Sequence, residues 1–254
     1  MYHSPLMTIL NGSYKCDQRW RQKEDGGRKI MKITVFNGSP RGRNSNTNVI
    51  AEAFLKGAKA AGADTENVFL IDRQIHHCAG CFTCWYKTPG VCVYRDDMDA
   101  LMERYRESDV VCMATPIYLW QMTACLKNFL DRLIPLKRPN VVEVQGNFDM
   151  ANSLIKMPET VIISNSGFPG DSNFSTMREV VRRSNPILEI YRNNGMLLRM
   201  DRESVKPIVQ HYLSFVEQAG FLVASGKAVT EDVMAGLNAE MMSTEDYLAI
   251  ISGK

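Results

Sequence analysis

KITVFNGSPRGRNSNT, residues Lys32 to Thr47, opens as a strand and closes at a helix start. The run KITVFN is dense in β-branched and aromatic residues, and Gly-Ser-Pro-Arg turns the chain out of it. Apolar residues then recur at Val49, Ile50, Ala53, Phe54 and Ala58, the spacing of a helix over residues 47–61, which Gly62 stops. The same alternation continues. A second strand is expected at 66–71, a helix at 97–107, and a third strand at 110–114, whose unbroken apolar run suits burial on both faces. A helix over 123–133 leads into a proline-containing connection. Strands four and five are expected at 160–164 and 196–199, with a helical stretch at 175–193, bent near Pro186, between them. Residues 203–221 and 230–251 read as helical, with Thr230 and Ser243 as caps. Parallel strands need long crossovers, and right-handed βαβ units assemble them into a doubly wound α/β fold: a five-stranded parallel sheet with helices on both faces. Ligands of such sheets bind beyond the carboxyl ends of the strands, where the winding reverses.

The chain has 254 residues, 45% of them hydrophobic, enough for one large α/β domain plus extensions. Residues 1–30 are polar and irregular and read as an N-terminal extension, with Met31 a candidate natural start. Residues 31–228 form the expected domain, and 229–254 a helical C-terminal extension. Lys and Arg total 30 against 28 Asp and Glu, so charge points to neither nucleic acid nor an anionic membrane, and small-molecule partners are expected. With no apolar stretch of bilayer-spanning length and no signal pattern at the N-terminus, the expected location is the cytoplasm. There is no internal repeat or low-complexity tract.

The loop after the first strand, residues 37–47, sets Ser39, Arg41, Ser45, Asn46 and Thr47 between a strand and a helix start. Hydroxyls and free N–H groups at a helix N-terminus donate to phosphate oxygens, and Arg41 adds charge-assisted bonds. The loop lacks the Gly-Lys-Ser/Thr ending of a Walker loop and the G-x-G-x-x-G of a dinucleotide fingerprint, which argues against ATP and against Rossmann-bound nicotinamide. A polar turn that merely caps the helix is the alternative. This segment resembles the phosphate loop of the flavodoxin-like NADPH-dependent FMN reductase and iron-sulfur flavoprotein family. The likeness runs from about Met31 to the C-terminal region. It implies a flavodoxin-like fold, FMN as cofactor, and phosphate binding by Ser39, Arg41, Ser45, Asn46 and Thr47.

After the third strand, Pro116, Ile117, Tyr118, Leu119 and Trp120 form an apolar, aromatic loop suited to the faces and polar edge of an isoalloxazine ring. It is similar to the family's TPxY loop, as Lys127, Phe129, Asp131 and Arg132 are to the helix that follows it. Tyr118 and Trp120 read alternatively as core aromatics, and Asp131 and Arg132 as a helix-surface pair or a subunit contact. After the fourth strand, SNSGFPGDSNF at 164–174 supplies Asn165, Ser166 and Gly167, which the resemblance places near the flavin's pyrimidine edge; an ordinary turn has much the same composition.

Cys78, Cys81, Cys84 and Cys92 give C-x2-C-x2-C-x7-C. Four thiolates at this spacing can wrap an iron-sulfur cube, each iron taking one. The stretch, with the Asp-Asp-Met that follows it at 96–98, resembles the cluster-binding region of iron-sulfur flavoproteins, which implies a four-iron four-sulfur cluster. A structural zinc and free or redox-sensing thiols remain open alternatives, with His76 and His77 either joining a site or lying on an exposed loop.

The leading reading is an FMN-dependent oxidoreductase, with NAD(P)H as reductant and a quinone, another flavin or a metal centre as acceptor. The cofactor performs the chemistry, so no catalytic acid, base or nucleophile is named. The rival readings are an iron-sulfur flavoprotein electron carrier exchanging electrons with ferredoxin, and a flavin-binding sensor without turnover. The resemblance also implies a homo-oligomer.

Overall fold

The computed structural model describes residues 30–144, 147–150 and 155–252; the expected N-terminal extension, Ile30 apart, lies outside them, as does Cys16. In chain order the strands are β1 (Lys32–Asn37), β2 (Asp64–Phe69), β3 (Val110–Pro116), β4 (Val141–Val144), β5 (Asn147–Met150), β6 (Glu159–Asn165) and β7 (Leu188–Arg192). The helices are α1 (Asn46–Ala60), α2 (Thr83–Tyr86), α3 (Met98–Glu107), α4 (Ala124–Asp131), α5 (Ser175–Val181), α6 (Lys206–Ala224), α7 (Glu231–Asn238) and α8 (Thr244–Ile251). Five strands pair in parallel in the order β2-β1-β3-β6-β7, as the alternation of strands and helices requires. The winding reverses between β1 and β3, and that is where the loops of interest emerge.

Strand alternation divides the core into two layers. Ile33, Val35, Val110, Cys112, Ala114, Val161 and Ile163 face a layer with α1, α6, α7 and α8. Phe36, Val111, Met113 and Ile162 face the other, with α3, α4 and α5. On the first face α1 and α6 meet backbone to backbone. A Cβ on Gly220 would stand 2.0 Å from the Phe54 carbonyl oxygen, and one on Gly57 1.8 Å from that of Glu217, so glycine alone permits this approach. Val233, Leu237, Met241 and Tyr247, from α7 and the chain leading into and along α8, complete the same layer. Thr230 and Ser243 cap these helices through the Val233 and Asp246 N–H groups.

Two expectations are corrected. The fifth strand is LEIYR at 188–192, not 196–199; Ile190 pairs beside Ile163, and the Ile187 N–H reaches the Thr160 carbonyl at 2.8 Å. The apolar residues at 195–199 form a 3-10 helix that buries Leu197 and Leu198 over the end of the layer. For the same reason no helix runs to 193. α5 stops at Val181, a short 3-10 turn ends in left-handed Asn185, and Pro186 precedes a strand instead of bending a helix. The connection after α4 also contains an unforeseen hairpin, β4 paired antiparallel with β5. Among the described residues, no helix is long and apolar enough to cross a membrane.

Candidate functional site

Three loops leave the carboxyl ends of β1, β3 and β6 and meet through hydrogen bonds. The Thr47 hydroxyl donates to Asn165 Oδ1 at 2.6 Å, and the Ile117 N–H donates to the Asn165 carbonyl at 2.9 Å. Asn165 is therefore the hub of the site. The Thr123 hydroxyl, at the start of α4, adds a bond to the Gly38 carbonyl at 2.6 Å and accepts the Leu126 N–H.

The residues of the first loop divide by role. The buried Ser45 hydroxyl donates to the Gly42 carbonyl and accepts the Asn48 N–H, so it caps α1 and has no proton left for a ligand. Thr47 is committed to Asn165. The Ser39 hydroxyl has no hydrogen-bond partner among the described residues, while its N–H is held by Asn37 Oδ1 at 3.1 Å. Arg41 is exposed and makes no ion pair among the described residues. The N–H groups of Asn46 and Thr47, in the first turn of α1, lie beyond the reach of intrahelical bonding. One free hydroxyl, one free guanidinium and a helix start with unspent donors fit a terminal phosphate. Arg43 is spent elsewhere, stacked 4.3 Å over Phe69 and paired with Asp72 at 2.8 Å.

The second loop is a tight turn. Tyr118 and Gln121 exchange both backbone hydrogen bonds, at 3.0 and 3.1 Å, and the two residues between them, Leu119 and Trp120, both have positive φ, +47° and +61°. Side chains with a Cβ are costly in that region, by roughly 1–2 kcal/mol each. Tyr118, Leu119 and Trp120 are nonetheless 49%, 85% and 59% exposed, so neither Tyr118 nor Trp120 is a core aromatic. The turn therefore presents apolar surface on a strained backbone just beyond a strand end, a surface that a flat apolar ligand would fit. Pro116 is the buried last residue of β3, and Ile117 packs against the second core layer.

In the third loop Asn165 and Ser166 are buried and Gly167 is exposed. The Ser166 N–H and carbonyl bond Arg192 and Gly195 at 2.9 and 2.8 Å, and the Ser166 hydroxyl accepts the Phe168 N–H at 3.1 Å. The Gly167 N–H has no partner among the described residues, and nothing lies within 4 Å of where a Cβ would stand. An unpaired amide in open space beside the aromatic turn suits the polar edge of a ring. FMN thus fits the donor set: phosphate donors at one loop, an apolar turn at the second, and a free amide at the third.

The four motif cysteines line one cavity, together with Tyr94, Arg132, Ile134 and Pro135. Cys78 and Cys81 are exposed, Cys92 is half-buried and Cys84 is buried. Burial, then the neighbouring Cys92, Cys81 and Cys78, pushes the Cys84 thiol up, whereas hydrogen bonds from Thr83 bring Cys81 down. Among the described residues no three His, Cys, Asp or Glu are gathered tightly enough to hold a metal ion. His76 and His77 lie on an exposed loop, stacked on Tyr94 and bonded to Asn128 respectively.

Arg132 is not a surface residue. It is buried and forks onto Asp96 at 2.7 and 3.1 Å while also donating to the His76 carbonyl at 2.7 Å. Burial pushes the Asp96 carboxyl up, but the Arg132 bonds and the His76 and Met98 N–H groups outweigh it and hold the carboxyl below its ordinary value. Asp131, by contrast, pairs with Lys127 on the helix surface. Sequence reading missed Asn37, Thr123, Arg192 and Gly195. Thr123 carried the one visible signal, a helix-cap residue at the start of α4.

Residues 31–146 match the model of the family described as NADPH-dependent FMN reductase. An iron-sulfur flavoprotein from Archaeoglobus fulgidus is 37% identical over 132 residues, 52% of this chain and 59% of its own. Another from Methanosarcina thermophila is 37% identical over 110 residues, 43% of this chain and 56% of its own. The chain thus spans little more than half the length of these curated relatives. Among solved structures, an NAD(P)H:quinone oxidoreductase from Methanothermobacter marburgensis superposes with a TM-score of 0.56 at 16% identity, over 77% of this chain and 96% of that one. An FMN-dependent NADH-azoreductase from Bacillus anthracis, solved in complex with FMN, gives 0.56 at 15% identity, over 77% and 100%. At these identities the two structures establish the fold. Over residues 31–146, a little under half of its length, the chain is similar to the NADPH-dependent FMN reductase family.

Proposed function

We propose that the protein is an FMN-dependent NAD(P)H oxidoreductase that passes electrons to a quinone, a flavin or another small acceptor. The observation that carries this reading is the meeting of three loops at Asn165, which joins a phosphate-donor loop to an exposed aromatic turn where the strand order reverses. FMN, when bound, supplies the chemistry: it accepts hydride and releases electrons singly or in pairs. The protein's own groups bind and orient. Ser39, Arg41 and the first turn of α1 would hold the phosphate, with Ser45 and Thr47 shaping the loop from behind. Tyr118, Leu119 and Trp120 would cover the ring and exclude water from one face. The Gly167 N–H would meet its polar edge, with Asn165 and Ser166 fixing that loop. Stopped-flow mixing of the flavin-loaded protein with NADPH tests the reading; bleaching of the flavin absorbance is expected, and none at saturating NADPH and NADH would reject it.

A second reading, an iron-sulfur flavoprotein exchanging electrons with ferredoxin, is favoured by one specific observation: Cys78, Cys81, Cys84 and Cys92 line a common cavity. A four-iron four-sulfur cluster spreads its thiolates over separate irons, so it does not require three ligands around one ion. Iron and sulfide analysis of anaerobically purified protein decides it; about four irons per chain are expected for such a cluster, and iron-free protein after reconstitution removes it. Placement in the cytoplasm and homo-oligomerisation belong to the same proposal. They are supported by unpaired thiols, which suit a reducing compartment, and by the apolar surface of Tyr118, Leu119, Trp120 and Phe168.

A further inference from the structure

We propose that Tyr247 of α8 is a positioning residue of the flavin loop, its hydroxyl fixing the Gly167 peptide so that the Gly167 N–H faces the ring edge of the bound cofactor. The inference rests on the reading of Asn165–Gly167 as flavin-facing. It concerns helices beyond residue 146, where the family match ends.

Gly167 has the backbone freedom of a residue without a Cβ, and a free amide on such a residue is a poor donor unless its peptide planes are held. Both planes are held here. The Ser166 carbonyl, in the same peptide unit as the Gly167 N–H, accepts the Gly195 N–H at 2.8 Å. The next carbonyl, that of Gly167, accepts the Tyr247 hydroxyl. The carbonyls on either side are tied as well, Asn165 to the Ile117 N–H at 2.9 Å and Phe168 to the Asn194 N–H at 3.3 Å. With every carbonyl of this stretch drawn into the protein, the Gly167 N–H is the backbone donor left over.

The hydroxyl is delivered with little freedom. Tyr247 is fully buried in the first core layer. α7, just before it, is fixed by Arg192, a buried residue at the end of β7 that donates to the Leu237 carbonyl and, at 2.8 Å, to the Ala239 carbonyl. The Arg192 carbonyl in turn accepts the Ser166 N–H at 2.9 Å. Strand end, C-terminal helices and flavin loop are thus one bonded set. Close approach is built into it at Gly195, where a Cβ would stand 2.9 Å from the Ser166 carbonyl oxygen.

The test is Tyr247→Phe, which keeps the ring and removes the hydrogen bond, measured by fluorescence titration with FMN and with riboflavin. Both dissociation constants should rise about three- to tenfold by the same factor, because the phosphate plays no part. Tyr105→Phe, which removes a hydroxyl from the second core layer on the other face of the sheet, should change neither. Unaltered constants in Tyr247→Phe, or a rise for FMN alone, would overturn the inference. If the variant does not fold, the native chain decides: the Gly167 amide resonance should shift when riboflavin binds, and an unshifted resonance refutes the inference. Failure of the native chain to bind either flavin would instead refute the reading beneath it.

Discussion

Arg132 and Asp96 show how little of a buried pair is written in local sequence. A Lys-x-Phe-x-Asp-Arg pattern on an amphipathic helix gives no sign which charge turns inward, because the deciding partner lies 36 residues earlier. Replacing Arg132 with Gln leaves a buried carboxylate without its counter-charge. Chemical denaturation should show a loss of about 3 kcal/mol. The pH dependence follows from the lowered Asp96 value. Since the folded form binds its proton less readily than the unfolded chain, the pair's stabilisation is complete above the unfolded carboxylate pKa of about 3.9 and fades as pH falls through the lower folded value. Denaturation curves at pH 7 and pH 3 should therefore converge for native protein and Arg132→Gln; an undiminished gap at the lower pH would contradict the assignment. Ser39 and Arg41 could be singled out in the sequence because both sit within one strand–loop–helix segment, where the structure leaves the Ser39 hydroxyl unbonded among the described residues and Arg41 exposed. Ser45 was read as a phosphate donor, yet its hydroxyl caps α1, a competition that residue type alone does not resolve. Ser39→Ala and Arg41→Ala should weaken FMN, Arg41→Ala by about tenfold or more, and leave riboflavin unchanged. Equal losses for both flavins would move the phosphate elsewhere.

Among the elements, β1, β3 and β6 were plain from their composition, since a central parallel strand is buried on both faces and shows as a short, continuous apolar run. β7 was not. LEIYR carries a glutamate and an arginine, and the more apolar GMLLR a few residues later drew the assignment. The long-range pairing of Ile190 with β6 settled what composition could not. The turn at Tyr118–Gln121 was foreseen as an aromatic loop but not as a strained one, because Leu119 and Trp120 are residues that sequence rules keep out of positive φ. Leu119→Gly relieves one such position and should raise the thermal midpoint, with a stabilisation of about 1 kcal/mol. It should also weaken flavin binding by removing apolar cover. A variant less stable than the native protein would show that the turn is not strained.

At the scale of the whole molecule, the sheet, its switch point and the loops beyond it followed from the alternation of strands and helices, because crossover handedness leaves few arrangements. The part played by the C-terminal helices did not. Val233, Leu237 and Tyr247 complete a core layer begun at the opposite end of the domain sequence, by Ile33 and Val35, and Tyr247 reaches a loop 80 residues away in sequence. Such contacts leave no periodic trace. If the exposed surface of Tyr118, Leu119, Trp120 and Phe168 is covered by a second copy, light scattering should give a mass above that of one chain, and Trp120→Glu should reduce it. A native mass equal to the monomer would end that proposal. The claim on which all else depends is that loops from β1, β3 and β6 form one flavin site. Its most direct measurement is equilibrium titration of the purified, folded chain with FMN, followed by quenching of flavin fluorescence. Saturable binding in the micromolar range or tighter, with riboflavin weaker than FMN, is the expected result; folded protein that takes up neither would contradict it.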